Sequence, residues 1–296
     1  MEQKGILNYI KLPNKDFADQ WNKIIVADEI KTRLLSLSLL EFTIRGEISR
    51  TSVPLHGIIL LIGPPGTGKT SLARGLANHV AESLNGRGLN FIEIEPHSLA
   101  SSALGKSQKT VRDLFQETIA EYAEKGPLIV LLDEIETLAP DRKKLSLEAN
   151  PVDVHRATDA VLSSVDFLAA QYNQLLFIAT SNFVEAVDDA LLSRADLVEF
   201  IGKPNVEAAK VILKDTLEAL ATKWKKIKNL ASSVEIDKLA VECVGLDGRE
   251  IRKAVISACA SSKEIALDPN KLKMDNLVQS IKHFKNKSNG YSCEKN

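Results

Sequence analysis

Gly57-Ile58-Ile59-Leu60-Leu61-Ile62-Gly63-Pro64-Pro65-Gly66-Thr67-Gly68-Lys69-Thr70 is the stretch whose reading decides the fold. Its first half is a short apolar run rich in β-branched residues, which reads as a buried parallel strand. Its second half, Gly63 to Thr70, matches G-x-x-x-x-G-K-[ST], the spacing of a loop that wraps the phosphates of a nucleoside triphosphate. Ser71-Leu72-Ala73-Arg74-Gly75-Leu76-Ala77 then carries apolar residues at helical spacing. Strand, glycine loop and helix thus come in the order that phosphate binding requires. The glycines let the backbone turn tightly and aim N–H groups at phosphate oxygens, at the positive end of the helix dipole. Lys69 would neutralise β- and γ-phosphate charge, and the Thr70 hydroxyl would hold Mg²⁺. A chance glycine-rich turn would not bring this context with it.

Two further apolar runs end in polar residues. Leu128-Ile129-Val130-Leu131-Leu132 leads into Asp133-Glu134, whose carboxylates would emerge where ligands collect in open α/β sheets. Asp133 would fix Mg²⁺ and Glu134 would orient and polarise an attacking water. Standing alone, the same pair reads equally as the acidic cap of a helix. Leu175 to Thr180 ends in Ser181-Asn182, and the Asn182 amide either reaches the γ-phosphate and the lytic water or caps the following turn. Phe91 to Glu95 and Leu197 to Ile201 supply two more strands. Helices are expected from Asp28, read as an N-cap, to about Phe42, from Ser107 to Ala123, and from Pro151 to Ala170.

After Gly202-Lys203-Pro204-Asn205 the β/α alternation stops and the pattern is all helical: about 206–222, 236–244, 249–262 and 274–284. The fold class is therefore α/β, a three-layer parallel sheet with a small all-helical C-terminal lid. The expected division is a polar arm at 1–20, a large ATP-binding domain at 21–202, a lid at 203–285 and a disordered tail at 286–296.

The chain has 296 residues and a formal net charge of −1, so it offers no global attraction to nucleic acid or anionic membrane. Aromatic residues make up 5%, which weakens any case for stacking on bases. Cys243, Cys259 and Cys293 are isolated and the histidines lack metal-ligand spacing, so neither zinc nor a disulfide framework is indicated. No stretch reaches the ~18 uninterrupted apolar residues of a membrane helix. A cytoplasmic protein without membrane attachment is expected.

Taken with Asn182, Arg194 and Gly245-Leu246-Asp247-Gly248-Arg249, these motifs resemble the AAA+ ATPases from Trp21 to Phe284. Within them the chain is similar to the pachytene-checkpoint branch, whose members remodel HORMA-domain proteins. The narrower signals are His97-Ser98-Leu99, Pro151-Val152-Asp153 before Arg156, and Ser193-Arg194-Ala195-Asp196 leading to Ile201-Gly202. The resemblance implies a homo-hexameric ring that binds ATP and Mg²⁺ between subunits. It implies nucleotide contacts from Ile25, Pro65, Gly66, Thr67, Gly68, Lys69, Thr70 and Ser71, with Thr70 and Asp133 on the metal. Glu134 and Asn182 would serve hydrolysis, Arg194 would be the finger reaching a neighbour's site, and Arg249 would be the lid's sensor arginine.

The same resemblance puts a substrate pore loop at Ala103, Leu104, Gly105 and Lys106, where the family carries a bulky aromatic. Leu104 still offers an apolar contact, and Ala103 offers little area. Only about twenty residues precede Trp21, against a separate N-terminal domain in relatives that use an adaptor. The chain would then grip its substrate directly or rely on a partner to supply the adaptor. Compact relatives act beside HORMA proteins and cGAS-like nucleotidyltransferases in antiphage signalling, as brakes that disassemble the activated complex. Two rivals are a clamp- or helicase-loader ATPase, opposed by charge and composition, and a nucleotide-switched scaffold without turnover, opposed by Glu134.

Overall fold

The computed structural model describes residues 5–84, 88–94, 107–138, 151–183, 185 and 187–293. Its contacts divide into two units: residues 1–63 with 69–201, and residues 64–68 with 202–296.

The first unit is built on a six-stranded sheet: β1 (Ile6–Leu12), β2 (Ile58–Ile62), β3 (Leu89–Ile94), β4 (Leu128–Leu132), β5 (Leu175–Ser181) and β6 (Leu197–Phe200). The order across it is β1-β3-β4-β5-β2-β6, parallel except for β1, which runs antiparallel on β3. Every residue of β2, β4 and β5 is buried, which is why these strands read as unbroken apolar runs instead of alternating. Alternate residues serve two cores. Ile58, Leu60, Ile62, Val130, Leu132 and Phe177 pack with α4 (Ser107–Asp113) and α6 (Pro151–Gln171). Ile59, Leu61, Ile129, Leu131 and Ile178 pack with α1 (Lys15–Lys23), α2 (Asp28–Ile44) and α3 (Lys69–Ser83).

The mostly parallel α/β sheet matches the expectation, and several local readings are corrected. The segment read as a polar arm forms β1 and α1. Its polar residues are what tie it down: Asn14 caps α1 by accepting from the Asp16 and Phe17 N–H groups, and Asn8 donates to the buried Glu93 at 2.9 Å, which Arg74 of α3 also reaches. Phe17 and Trp21, one turn apart, are buried. Gly75 allows that approach, since a Cβ there would run into Trp21. The N-cap of α2 is Ala27, not Asp28, which is already helical. The helix predicted over 107–123 is α4, a π-helical stretch (Leu114–Ile119) and α5 (Ala120–Glu124) in succession; the widened turn leaves no mark in apolar spacing. The strand over Leu197 to Ile201 ends at Phe200.

The second unit is helical: α8 (Val206–Ala221), α9 (Lys228–Ala231), α10 (Glu235–Glu242), α11 (Gly248–Cys259), α12 (Lys263–Leu267) and α13 (Met274–Cys293) follow α7 (Asp189–Leu192) of the first unit. Helix α11 packs on α8 and α13, and α10 packs on α8, burying Leu213, Leu217, Leu239, Ile251, Val255, Leu277 and Ile281. The tail expected to be disordered from residue 286 instead continues α13 to Cys293. Its polar residues suit an exposed helix as well as a coil, so composition misleads there.

At the opposite end of the sheet from the glycine loop, α2 ends in a buried charge pair. Arg45 donates to the Leu175 and Ala169 carbonyls, and Gly57 (φ 69°) is left without a side chain beneath its guanidinium. Glu41 is buried 3.7 Å from Arg45 Nε, with neither carboxylate oxygen hydrogen-bonded. Burial, and then the nearby Asp196, push its carboxyl up to about 7 against the pull of Arg45. A carboxyl raised in the fold is tolerated best when protonated. Its share of stability is complete below the ordinary value of 4.5 and is lost as pH rises through about 7. We expect Glu41→Gln, which mimics the neutral form, to flatten the melting-temperature profile across that window, with wild type falling behind the variant as pH rises. Parallel profiles for the two proteins would show that Glu41 does not titrate there.

Candidate functional site

The strand order brings the C-terminal ends of β2, β4 and β5 side by side. Ile62 at the end of β2 is in register with Ser181, and Leu132 at the end of β4 is in register with Ala179. Lys69, Asp133, Glu134 and Asn182, each one or a few residues past a strand end, therefore converge. Gly66 (φ 81°) and Gly68 (φ 93°) take left-handed conformations in the glycine loop, which side chains resist, and Thr67 Oγ1 donates to the Pro64 carbonyl at 2.9 Å. Pro65 is exposed, and Thr67 and Ser71 are half-buried.

Lys69 is 6% exposed, and its ammonium donates to the Gly63 carbonyl at 2.8 Å and to Asn182 Oδ1 at 3.0 Å. Thr70 Oγ1 donates to Asp133 Oδ1 at 2.8 Å, and Thr180 Oγ1 donates to the same oxygen at 2.5 Å. Glu134 stands at φ 52°, ψ 53°, alone among the described non-glycine residues in having a positive φ. Such a conformation costs roughly 1–2 kcal/mol and needs outside support. The Glu134 N–H donates to Thr180 Oγ1 at 3.1 Å, and Asn182 Nδ2 stands 3.4 Å from Glu134 Oε1. The Asn182 N–H donates in turn to Glu136 Oε1 at 3.1 Å. Asp133 and Asn182 share one cluster with Lys69 and Thr70, and Glu134, the N-cap of the turn Ile135–Thr137, makes no side-chain capping bond.

The donor set suits a nucleoside triphosphate with its cation. A hydroxyl and a carboxylate, both hard oxygen donors, lie side by side next to a buried ammonium. Among the described residues no group of three or more His, Cys, Asp or Glu side chains is placed to hold a metal. A hydroxyl beside a single carboxylate suits Mg²⁺, which takes one or two protein oxygens and fills its shell with phosphate and water.

Arg194 and Ile25 belong to other segments of the first unit and Arg249 to the second unit. Arg194, just past α7, is held in a two-pronged pair with Asp166 of α6, at 2.9 and 2.8 Å, and also donates to the Ala190 carbonyl. The hydrogen bond to Asp166 raises its already high pKa further. Two residues on, Asp196 accepts from the His56 and Ile58 N–H groups and so ties the loop to the start of β2. Arg249 is exposed in the first turn of α11 in the helical unit, behind the Asp247–Glu250 capping box. Ile25 is half-buried between Ile24 and Val26, which pack against the core. The Ala103, Leu104, Gly105 and Lys106 loop and the His97-Ser98-Leu99 signal lie outside the described residues. Thr180, Glu136 and Asp166 were not singled out from sequence. The first two sit within motif stretches, where their polarity was the only available signal.

A family model for the ATPase family associated with various cellular activities (AAA) matches residues 59–203. The chain is 55% identical over 282 residues to CD-NTase-associated protein 6 of Pseudomonas aeruginosa, covering 95% of this chain and 93% of that protein. It is 33% identical to the pachytene checkpoint protein 2 homolog of Arabidopsis thaliana, over 88% of this chain but 62% of that longer protein. Its fold matches a chain in the solved Escherichia coli MS115-1 HORMA:CdnC:Trip13 complex with a TM-score of 0.77 at 18% identity, covering 95% of each chain.

Lys69→Ala removes the buried ammonium and should weaken ATP binding itself. Glu134→Gln keeps the shape of the turn and should retain ATP while phosphate release stops. Equilibrium nucleotide binding and a phosphate-release assay on both variants check this, and normal turnover by Glu134→Gln would remove Glu134 from the hydrolytic step.

Proposed function

This chain belongs to the AAA ATPases, in the group of CD-NTase-associated protein 6, and on that premise we propose that it is a homo-hexameric, Mg²⁺-dependent ATPase that remodels a HORMA-domain protein. In doing so it would disassemble an activated complex of HORMA protein and cGAS-like nucleotidyltransferase in antiphage signalling. The observation that carries this reading is the near full-length, 55% identity to a CD-NTase-associated protein, joined to the convergence of Lys69, Thr70, Asp133, Glu134 and Asn182. Among the described residues no helix is long and apolar enough to cross a membrane.

In this reading the glycine-loop N–H groups and Lys69 bind the phosphates, while Thr70 and Asp133 hold the cation. Bound Mg²⁺ supplies charge neutralisation across the β- and γ-phosphates. Glu134 orients a water so that its oxygen attacks the γ-phosphorus as the bond to the leaving ADP oxygen breaks, and Asn182 holds the Glu134 carboxylate in line. Arg194 serves the neighbouring subunit's site. Its pair with Asp166 is partly solvent-exposed, at 26% and 40%, so water competes for both partners when the guanidinium turns to a neighbour's phosphate. Arg249 acts from the lid on the phosphates of its own chain. Leu104, with Lys106 beside it, grips the substrate, each ring contributing several modest contacts of at most ~1.5–3 kcal/mol.

The test is release of a nucleotidyltransferase from its HORMA partner on addition of the ATPase and ATP. Wild type should release it, and Leu104→Asp should lose far more release than ATP turnover. Absence of release by an active wild-type ATPase would overturn the remodelling role. Sharing of the site is tested separately. Arg194→Ala should bind ATP yet lose on the order of 10³ in rate, and mixing it with Glu134→Gln should restore some activity. If mixed rings form and every ratio stays inactive, the role in trans is wrong.

A further inference from the structure

The side chain of Thr180 has no part in the reading above, yet it stands at the crossing of its two most demanding requirements. In the parallel register of β4 and β5, Leu132 faces Ala179, so the residue after each, Asp133 and Thr180, meet just beyond the paired strands. Thr180 is 1% exposed. A buried threonine in a strand ordinarily contributes a β-branched side chain to packing, with its hydroxyl satisfied locally. Here both hydroxyl partners lie across the sheet. Its single proton goes to Asp133 Oδ1 at 2.5 Å, and its lone pair accepts the Glu134 N–H at 3.1 Å. The donor and acceptor roles admit only this assignment, because an N–H cannot accept.

We propose that Thr180 is a positioning residue for hydrolysis: it orients the Asp133 carboxylate and clamps the left-handed turn from which Glu134 reaches its water. Asp133 Oδ1 then lies between two hydroxyls, from Thr70 at 2.8 Å and from Thr180. The Thr70 hydroxyl turns its oxygen to a cation when one binds, and the Thr180 hydroxyl keeps the carboxylate aimed while it does so. The backbone at Glu134 carries an unfavourable φ of 52°, and a bond from its own N–H to a rigid strand is the direct means of holding it. Valine at 180 would keep the shape of the side chain but remove the Thr180 acceptor from the Glu134 N–H and the Thr180 donor from Asp133 Oδ1. The inference rests on the roles assigned above to Asp133 and Glu134.

The experiment compares Thr180→Val and Thr180→Ser with wild type and with Glu134→Gln. Outer partners of metal ligands typically change function by about 10–100-fold. Thr180→Val should lower kcat in that range, and should weaken ATP binding in the presence of Mg²⁺ while leaving binding in EDTA within about twofold. Thr180→Ser, which keeps the hydroxyl, should recover most of both. Melting curves establish that the proteins are folded; if Thr180→Val is not, Thr180→Ala against Thr180→Ser gives the same comparison. Wild-type kcat in Thr180→Val, or equal loss in the valine and serine variants, would overturn the proposal. Normal turnover by Glu134→Gln would instead overturn the parent assignment, whatever Thr180 does.

Discussion

A lysine ammonium that is 6% exposed is the constraint around which the first unit is arranged. Burying a charge is costly unless dipoles or an opposite charge compensate it. The oxygens that Gly63 and Asn182 present come from loops after two neighbouring strands, β2 and β5. Holding Lys69 in place therefore demands that these strands be parallel, adjacent and in a fixed register. The same register carries Asp133 to Thr70 and Glu134 to Asn182.

Much of this was legible because the chemistry sits at the ends of buried strands. An apolar run such as Leu128 to Leu132 declares itself, and the polar residues terminating it are then placed at the sheet edge by geometry alone. Thr180 was hidden for the complementary reason. It lies inside such a run, and only pairing of Leu132 with Ala179 reveals that its hydroxyl faces Asp133. Asp166 was likewise one acidic residue on a helix until the fold set it against Arg194. At the start of the chain, β1 is anchored by Asn8, whose side chain donates to Glu93, and α1 by the Asn14 N–H, which donates to Asn78 Oδ1; both partners are distant in sequence. Hydrophobic periodicity has nothing to say about such bonds.

Two carboxylates on different elements hold groups that the proposed reaction has to aim. Asp166 receives the Arg194 guanidinium through a fork of two hydrogen bonds, and Glu136 receives the backbone of Asn182 while its second oxygen is buried without a partner. Both sets of bonds are part-buried; the first holds a side chain and the second a backbone N–H, so the first can be re-aimed by rotating a side chain and the second only by moving the main chain.

The anchoring of Asp196 to the His56 and Ile58 N–H groups has a mechanical meaning. Strand β2 begins at that anchor and ends at the glycine loop, five residues and roughly 16 Å away. A fully buried strand bonded to a neighbour on each side resists bending along its length. Each chain thus has a stiff rod with the loop that carries Arg194 at one end and its own nucleotide loop at the other. In the proposed ring, a push on one end is delivered to the other with little loss.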